Sequence, residues 1–478
     1  MSQTTKRVFT RKSKLFLILV SMIIFISCKG QYFPDSEGDS GGAGGGGISG
    51  GGAGGGSAGG NIVGKDYKLP KGSLSQEEQK KAMDPNKYFT TLFKKGDYNS
   101  KYFRIPALIC TSNGTILAAA DRRYEKTADL GKSSKIDVIV RRSEDLGATW
   151  SEQPIVVAGV ATDYASSYGD AFFINCHNGD VLCGFITEPG IQQNGKGETV
   201  IYRSKDDGKT WTKQYSFLPT TINNANKGFG ASGQGLTLRH GANAGAKKLM
   251  FAYFQWNKDG GLSVTSMVSS DDGMTFSASG NVKPSPDNNI DETKAIELSD
   301  GSIMLNHRKG VYQGGRAWSK STDGGNNWTY QGIDQEVLDP GNNADFTRYE
   351  FNGKHIKTPE YILMINANVS KANAWFTARK KHTIRMTAND FGNGNGTSTG
   401  KYIYTKQLVN GGESLFSGYP AITTLPDGTI CTLTEETSDG SVQDAYDIVF
   451  RRFNLYWLSD GKEYVDYNTD NLFQYKNY

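Results

Sequence analysis

Ser143-Glu144-Asp145-Leu146-Gly147-Ala148-Thr149-Trp150 decides the fold, because it returns. The pattern Ser-x-Asp-x-Gly-x-x-Trp recurs at Ser204, Asp206, Gly208 and Trp211. It comes back at Ser269, Asp271, Gly273 and Phe276, with an aromatic swap, and at Ser321, Asp323, Gly325 and Trp328. A worn fifth copy is read at Asp390 and Gly392. Each copy has a simple physics. Ser and Asp side chains close a tight turn by bonding nearby backbone amides. Gly permits a positive φ, and the aromatic residue plugs between neighbouring units. One copy alone is a hairpin turn. Four spaced copies mark a repeat architecture.

Working outward, the segments between the boxes read as hairpins. Pro106–Ile109 leads through Asn113-Gly114 to Thr115–Leu117, and Pro420–Thr423 leads through Asp427-Gly428 to Thr429–Cys431. Asn-Gly or Asp-Gly between apolar runs is a strong hairpin signal. Others stand at Asn178-Gly179, Asp300-Gly301 and Asn352-Gly353, and a sixth spans Leu236–Phe251. Six hairpins interleaved with box turns predict an all-β chain, a six-bladed β-propeller over residues 86–478, closed where C-terminal strands meet the first blade. The boxes resemble the Asp-box of sialidases and related propellers. Length alone, 478 residues, would suggest about three domains, but blades build one.

The net charge of +4 misleads. Residues 1–27 carry Lys6, Arg7, Arg11, Lys12 and Lys14 and no acid, so the remainder is close to neutral. Nothing here points to nucleic acid as a partner. The basic stretch precedes an apolar run from Leu15 to Ile26, too short for a membrane span and suited to a signal segment. Phe25-Ile26-Ser27-Cys28 resembles a bacterial lipobox, which implies lipidation of Cys28, export, and display at the cell surface or periplasm with membrane contact through the lipid alone. Residues 28–85 read as a tether, almost all Gly, Ser and Ala over 38–60, with one short helix near Ser75–Met83. Cys176 and Cys183 flank a turn and could pair or remain thiols. The five histidines show no metal-ligand spacing, so no metal or cofactor is expected.

A propeller gathers residues from many blades at one end of its channel. Arg104 sits in an otherwise apolar strand, Arg308 ends another, and Arg379 stands before a strand at Thr383–Met386. Singly each is a surface charge. Three guanidiniums converging on a channel would hold one carboxylate by forked, charge-assisted hydrogen bonds.

The chain from 86 to 460 resembles bacterial exo-sialidases of glycoside hydrolase family 33. Phe103-Arg104-Ile105-Pro106 is similar to that family's first arginine element, and Asp121-Arg122-Arg123-Tyr124 to its next strand end. The resemblance implies that Arg123 supports substrate and that Asp129 is the acid/base. Glu292 aligns as the catalytic Glu, Arg308 and Arg379 as the second and third arginines, Tyr419 as nucleophile and Glu435 as the acid that pins Arg104. Asp170 resembles a loop residue touching sugar hydroxyls, although Ala171 replaces the usual Pro. Gly233-Gln234-Gly235 resembles a loop near the glycerol chain, and Trp256, Tyr312 and Trp375 are rim candidates. A neutral Tyr suits a substrate bearing its own carboxylate, which would repel a carboxylate nucleophile. The implied function is retaining hydrolysis of terminal α-linked sialic acid from glycoproteins, glycolipids or oligosaccharides by a monomer. Transfer to another acceptor or within the sugar shares every catalytic residue. A non-catalytic sialic-acid-binding propeller would keep the arginines without needing Tyr419, Glu292 and Asp129 together.

Overall fold

The computed structural model describes residues 69–160, 163–283, 290–309, 315–370, 378–411 and 413–470. Cys28, the signal segment, the Gly-rich stretch and the rim candidates Tyr312 and Trp375 lie outside them. Among the described residues, strands group into six antiparallel blades. Their innermost strands are Tyr102–Cys110, Tyr168–Asn175, Ala225–Gly230, Ile290–Glu297, Asp345–Arg348 and Phe416–Thr424. The first blade continues outward through Ile116–Arg123, Ile136–Ser143 and Ile155–Ala158. Val, Ile, Leu and Ala fill these inner strands because both faces are covered by neighbouring blades.

The boxes lie where expected, in the turns leaving the third strand of blades one to four. In the first, Ser143 Oγ accepts from the Gly147 amide at 2.8 Å and donates to Asp145 Oδ1 at 2.9 Å. Asp145 in turn accepts from the amide and hydroxyl of Thr149 at 2.8 and 2.6 Å. The same bonds recur around Asp206, Asp271 and Asp323. Trp150 meets Phe450 of the last blade edge-on, with centroids 4.8 Å apart. Gly147 has φ +83° and an added Cβ would stand 2.5 Å from the Phe450 ring. Gly147→Ala is therefore expected to cost about 3 kcal/mol in chemical denaturation, strain and overpacking acting together. The worn fifth copy has lost the pattern: Asp390 accepts instead from the Ser299 amide at 3.0 Å and from Arg348 at 2.9 Å.

Closure runs the other way from the expected one. The N-terminal strand Phe89–Phe93 pairs with Asp447–Phe453 and completes the last blade from outside. The chain is also structured earlier than residue 86. Gln76–Gln79 forms one helical turn with a capping box between Ser75 and Glu78. Gln79 is buried and donates to the Asp427 carbonyl and the Tyr467 hydroxyl. Polar residues fold here because the propeller supplies their partners. Cys110, Cys176, Cys183 and Cys431 are buried thiols.

One irregularity positions the site. Near their starts, four innermost strands carry a two-residue bulge, at Ile105-Pro106, Asp170-Ala171, Asp291-Glu292 and Gly418-Tyr419. A bulge leaves a residue unpaired and re-aims its side chain. Ile105, a β-branched residue, holds φ +57°, and Asp170 holds φ +59°, backbone states that persist where the surroundings enforce them.

Candidate active site

The bulged strand starts ring a cavity of about 300 Å³ at one end of the channel. Arg104, Asp129, Asp170, Glu292, Arg308, Arg379 and Tyr419 line it, with an apolar wall that includes Leu130, Phe229 and Trp256. Seven positions picked from the sequence thus meet in one place.

Tyr419 is the centre. Its hydroxyl donates to Glu292 Oε1 at 2.5 Å and accepts from Arg308 Nη1 at 2.8 Å. Arg308 also donates to the other oxygen of Glu292. Arg104 and Arg379 lie over the Tyr419 ring at 5.4 and 5.3 Å. Burial raises the Tyr419 hydroxyl well above the ordinary phenol range, and Glu292 adds to this, so the residue rests as a neutral phenol. Burial also opposes ionisation of Glu292, but Arg308 and the Tyr419 hydroxyl outweigh it and hold the carboxyl below its usual value.

The turn carrying Tyr419 is fixed from beneath. Glu435, opposite the bulge, accepts from Arg104 Nε at 2.7 Å, from the Ile105 amide at 2.8 Å and from the Tyr419 amide at 2.8 Å. One carboxylate thereby locks two bulges. A Cβ on Gly418 would fall 2.0 Å from Glu435 Oε2, so this position must be Gly. The Gly418 carbonyl accepts from Asn342 at 2.5 Å and lies 2.8 Å from His382 Nε2. The Ser417 amide donates to the Arg379 carbonyl at 2.7 Å, tying Arg379 to the strand that carries Tyr419 across a blade boundary.

Asp129 sits at the rim, half exposed, 2.9 Å from Arg123 Nη1. Burial by the cavity walls disfavours its charge, but Arg123 and Arg104 prevail and hold its carboxyl at about 2. Arg123 itself is buried and does not line the cavity; it pairs with Asp121 at 3.0 Å and with Asp129. Its place is behind the acid, which corrects the expectation of direct substrate support. Arg123 pairs with Ile136 inside the blade, and its guanidinium is taken up by Asp121, Asp129 and the Thr127 carbonyl. Burial and the charges of Asp121 and Asp129 push the Asp170 carboxyl well above the ordinary carboxylate range.

Gln234 departs from expectation. Gly233–Gln234 pairs parallel with Phe172–Phe173, and Gln234 donates across the channel to the Phe346 and Ile422 carbonyls. It lines a cavity at the opposite mouth, not this one. Asp444 was not legible in the sequence. It lies 3.7 Å from Arg104 and 3.3 Å from Arg379, on the same two guanidiniums. Its signal is slight: an acid in a polar loop, three residues before the strand Asp447–Phe453.

The BNR repeat-like domain model matches residues 105–393. This chain belongs to that family. The propeller is also similar to the sialidase of Micromonospora viridifaciens, 30% identical over 74% of this chain and 52% of that one. It is similar to the sialidase of Bacteroides fragilis, 27% identical over 51% and 46% respectively. The chain spans about half the length of these curated relatives. Its fold is like that of the intramolecular trans-sialidase of Ruminococcus gnavus, with a TM-score of 0.62 at 19% identity, over 79% of this chain and 99% of that one. The BNR propeller described here is thus a bacterial-sialidase-like fold in which the four boxes are peripheral and the bulged strand starts carry the candidate chemistry.

Proposed function

We propose that the propeller is an exo-α-sialidase, a retaining glycoside hydrolase that removes terminal sialic acid from glycoconjugates. The observation that supports this best is the Tyr419 hydroxyl, held between Glu292 and Arg308 at the floor of a cavity with Asp129 on its rim. Arg104, Arg308 and Arg379 receive the substrate carboxylate. Its arrival cancels cationic charge that keeps Glu292 and Asp129 acidic, so both become stronger bases and Asp129 can carry a proton. Tyr419 attacks the anomeric carbon and passes its proton to Glu292. The bond to the leaving oxygen breaks as Asp129 protonates that oxygen. Water, deprotonated by Asp129, then displaces Tyr419, which recovers its proton from Glu292. Two displacements at one carbon give retention.

The test is hydrolysis of a fluorogenic α-sialoside by the full chain, with NMR of the product. No turnover sinks the proposal. An anhydro sugar as product would favour the intramolecular transfer named for the Ruminococcus gnavus neighbour. Location is a separate proposal, a lipid-anchored exported protein; metabolic labelling with a palmitate analogue should be lost in Cys28→Ala.

Asp444 gives a further expectation. As a carboxylate on two of the three arginines, it competes with the substrate's own. Asp444→Asn keeps the shape and removes the charge. KM for the sialoside should fall roughly fivefold, with kcat little changed. A raised KM would show instead that Asp444 orients the arginines for substrate.

A further inference from the structure

At the opposite mouth of the channel, the innermost strands end at Cys110, Asn175, Glu297 and Thr424 around a cavity of about 130 Å³. Beside it stand three side chains that the proposed sialidase chemistry does not use. Glu350 and His355 face each other across a two-stranded hairpin, Glu350–Phe351 with Lys354–His355, closed by Asn352-Gly353. His240 reaches them from the loop ahead of the third blade's second strand, Leu249–Asn257. His240 Nε2 is 2.9 Å from Glu350 Oε2, and His355 Nδ1 is 3.8 Å from the same oxygen. One ligand atom from each of the three lies within 4.8 Å of the others. The imidazole planes are 14° apart with centroids at 5.5 Å.

We propose that His240, Glu350 and His355 form a binding site for Zn²⁺, with its fourth position open toward this cavity. Two imidazoles and a carboxylate are a donor set that suits zinc, and three protein ligands plus an exchangeable fourth are a common zinc arrangement. Donor atoms around a tetrahedral zinc stand ~3.3 Å apart, given Zn–N and Zn–O bonds near 2.0–2.1 Å. The distances of 2.9 and 3.8 Å to Glu350 bracket that value, and all three donor atoms lie within 4.8 Å of one another. A plain His240–Glu350 ion pair accounts for the first contact alone. It leaves His355 Nδ1 buried without a hydrogen-bond partner among the described residues.

The carboxylate is also held by a further partner on the oxygen that the histidines approach, as metal-ligating carboxylates are hydrogen-bonded in turn. Arg348 donates to Glu350 Oε2 at 3.1 Å while its own charge is matched by Asp390 at 2.9 Å. The site would join a loop of the third blade to the hairpin of the fifth, stabilising the propeller at the end remote from Tyr419.

The test uses the full chain, stripped with a chelator and then titrated with ZnCl₂. One equivalent should bind by calorimetry, and saturating Zn²⁺ should raise Tm by about 3 °C. Mg²⁺ and Ca²⁺, which prefer oxygen ligands, should not reproduce the shift. His355→Ala and His240→Ala, read side by side, should lose both binding and shift while keeping the Tm of the stripped wild type within a degree or so. No zinc-dependent change in the wild type, or an unchanged one in both variants, overturns the proposal, since the metal would then be absent or bound at other surface groups. Sialoside turnover should be the same in stripped and zinc-loaded protein. This keeps failure of the zinc site distinct from failure of the sialidase reading.

Discussion

Tyr419→Phe is expected to lower kcat for α-sialosides roughly 10³- to 10⁴-fold, as removal of a group that acts only in the reaction does. The variant removes one oxygen and leaves the ring beneath Arg104 and Arg379. Glu292 keeps its bond from Arg308, so its charge stays paired. Stability should change little, and substrate affinity should survive because the three arginines are untouched. Proteolysis and mass spectrometry after exposure to a 3-fluorosialosyl fluoride should find the label on the Tyr419 peptide of the wild type and not on that of the variant. Full activity in Tyr419→Phe would refute its role as nucleophile.

Asp129→Ala should show a leaving-group signature. With a natural glycoside the leaving oxygen needs a proton, and loss of the acid should cost about 10²- to 10⁴-fold in kcat. With an activated aryl leaving group the first step should be nearly unaffected, and added azide should restore turnover by replacing deprotonated water in the second. The pH dependence has a defined sign. Burial disfavours the Asp129 charge, but Arg123 and Arg104 win and keep the carboxyl low, at about 2, before substrate binds. The substrate's negative charge and the covering glycan both raise that value in the complex. A group required in its protonated form gives activity that declines as pH rises through its pKa. The wild type should therefore lose kcat on natural glycosides toward alkaline pH, and this limb should vanish in Asp129→Ala. Equal losses on natural and aryl substrates would count against Asp129 as the acid.

Much of the architecture was legible because its causes are local. Ser143, Asp145 and Gly147 satisfy one another within a few residues, and Asn-Gly or Asp-Gly turns specify hairpins by their own backbone preferences. The site residues were legible by resemblance, and the cavity does unite Arg104, Asp129, Asp170, Glu292, Arg308, Arg379 and Tyr419. Their aim was not legible. It depends on bulges at four strand starts, and the bulge at Ile105 holds φ +57° while its amide bonds a carboxylate 330 positions away. Arg123 was expected at the substrate, yet it is buried behind Asp129 while its neighbour Arg122 pairs with Asp137.

The sequence by itself determined the repeat, the number of blades and the identity of the unrepeated residues, since turn chemistry and strand patterning act over a few positions. Tertiary structure alone decided that Phe89–Phe93 closes the last blade, that Asp444 shares two arginines, that Gln234 spans the far side of the channel, and that His240, Glu350 and His355 meet. Each of these is a contact between segments far apart in the chain, set by how blades pack around an axis, and no spacing within the sequence encodes that distance.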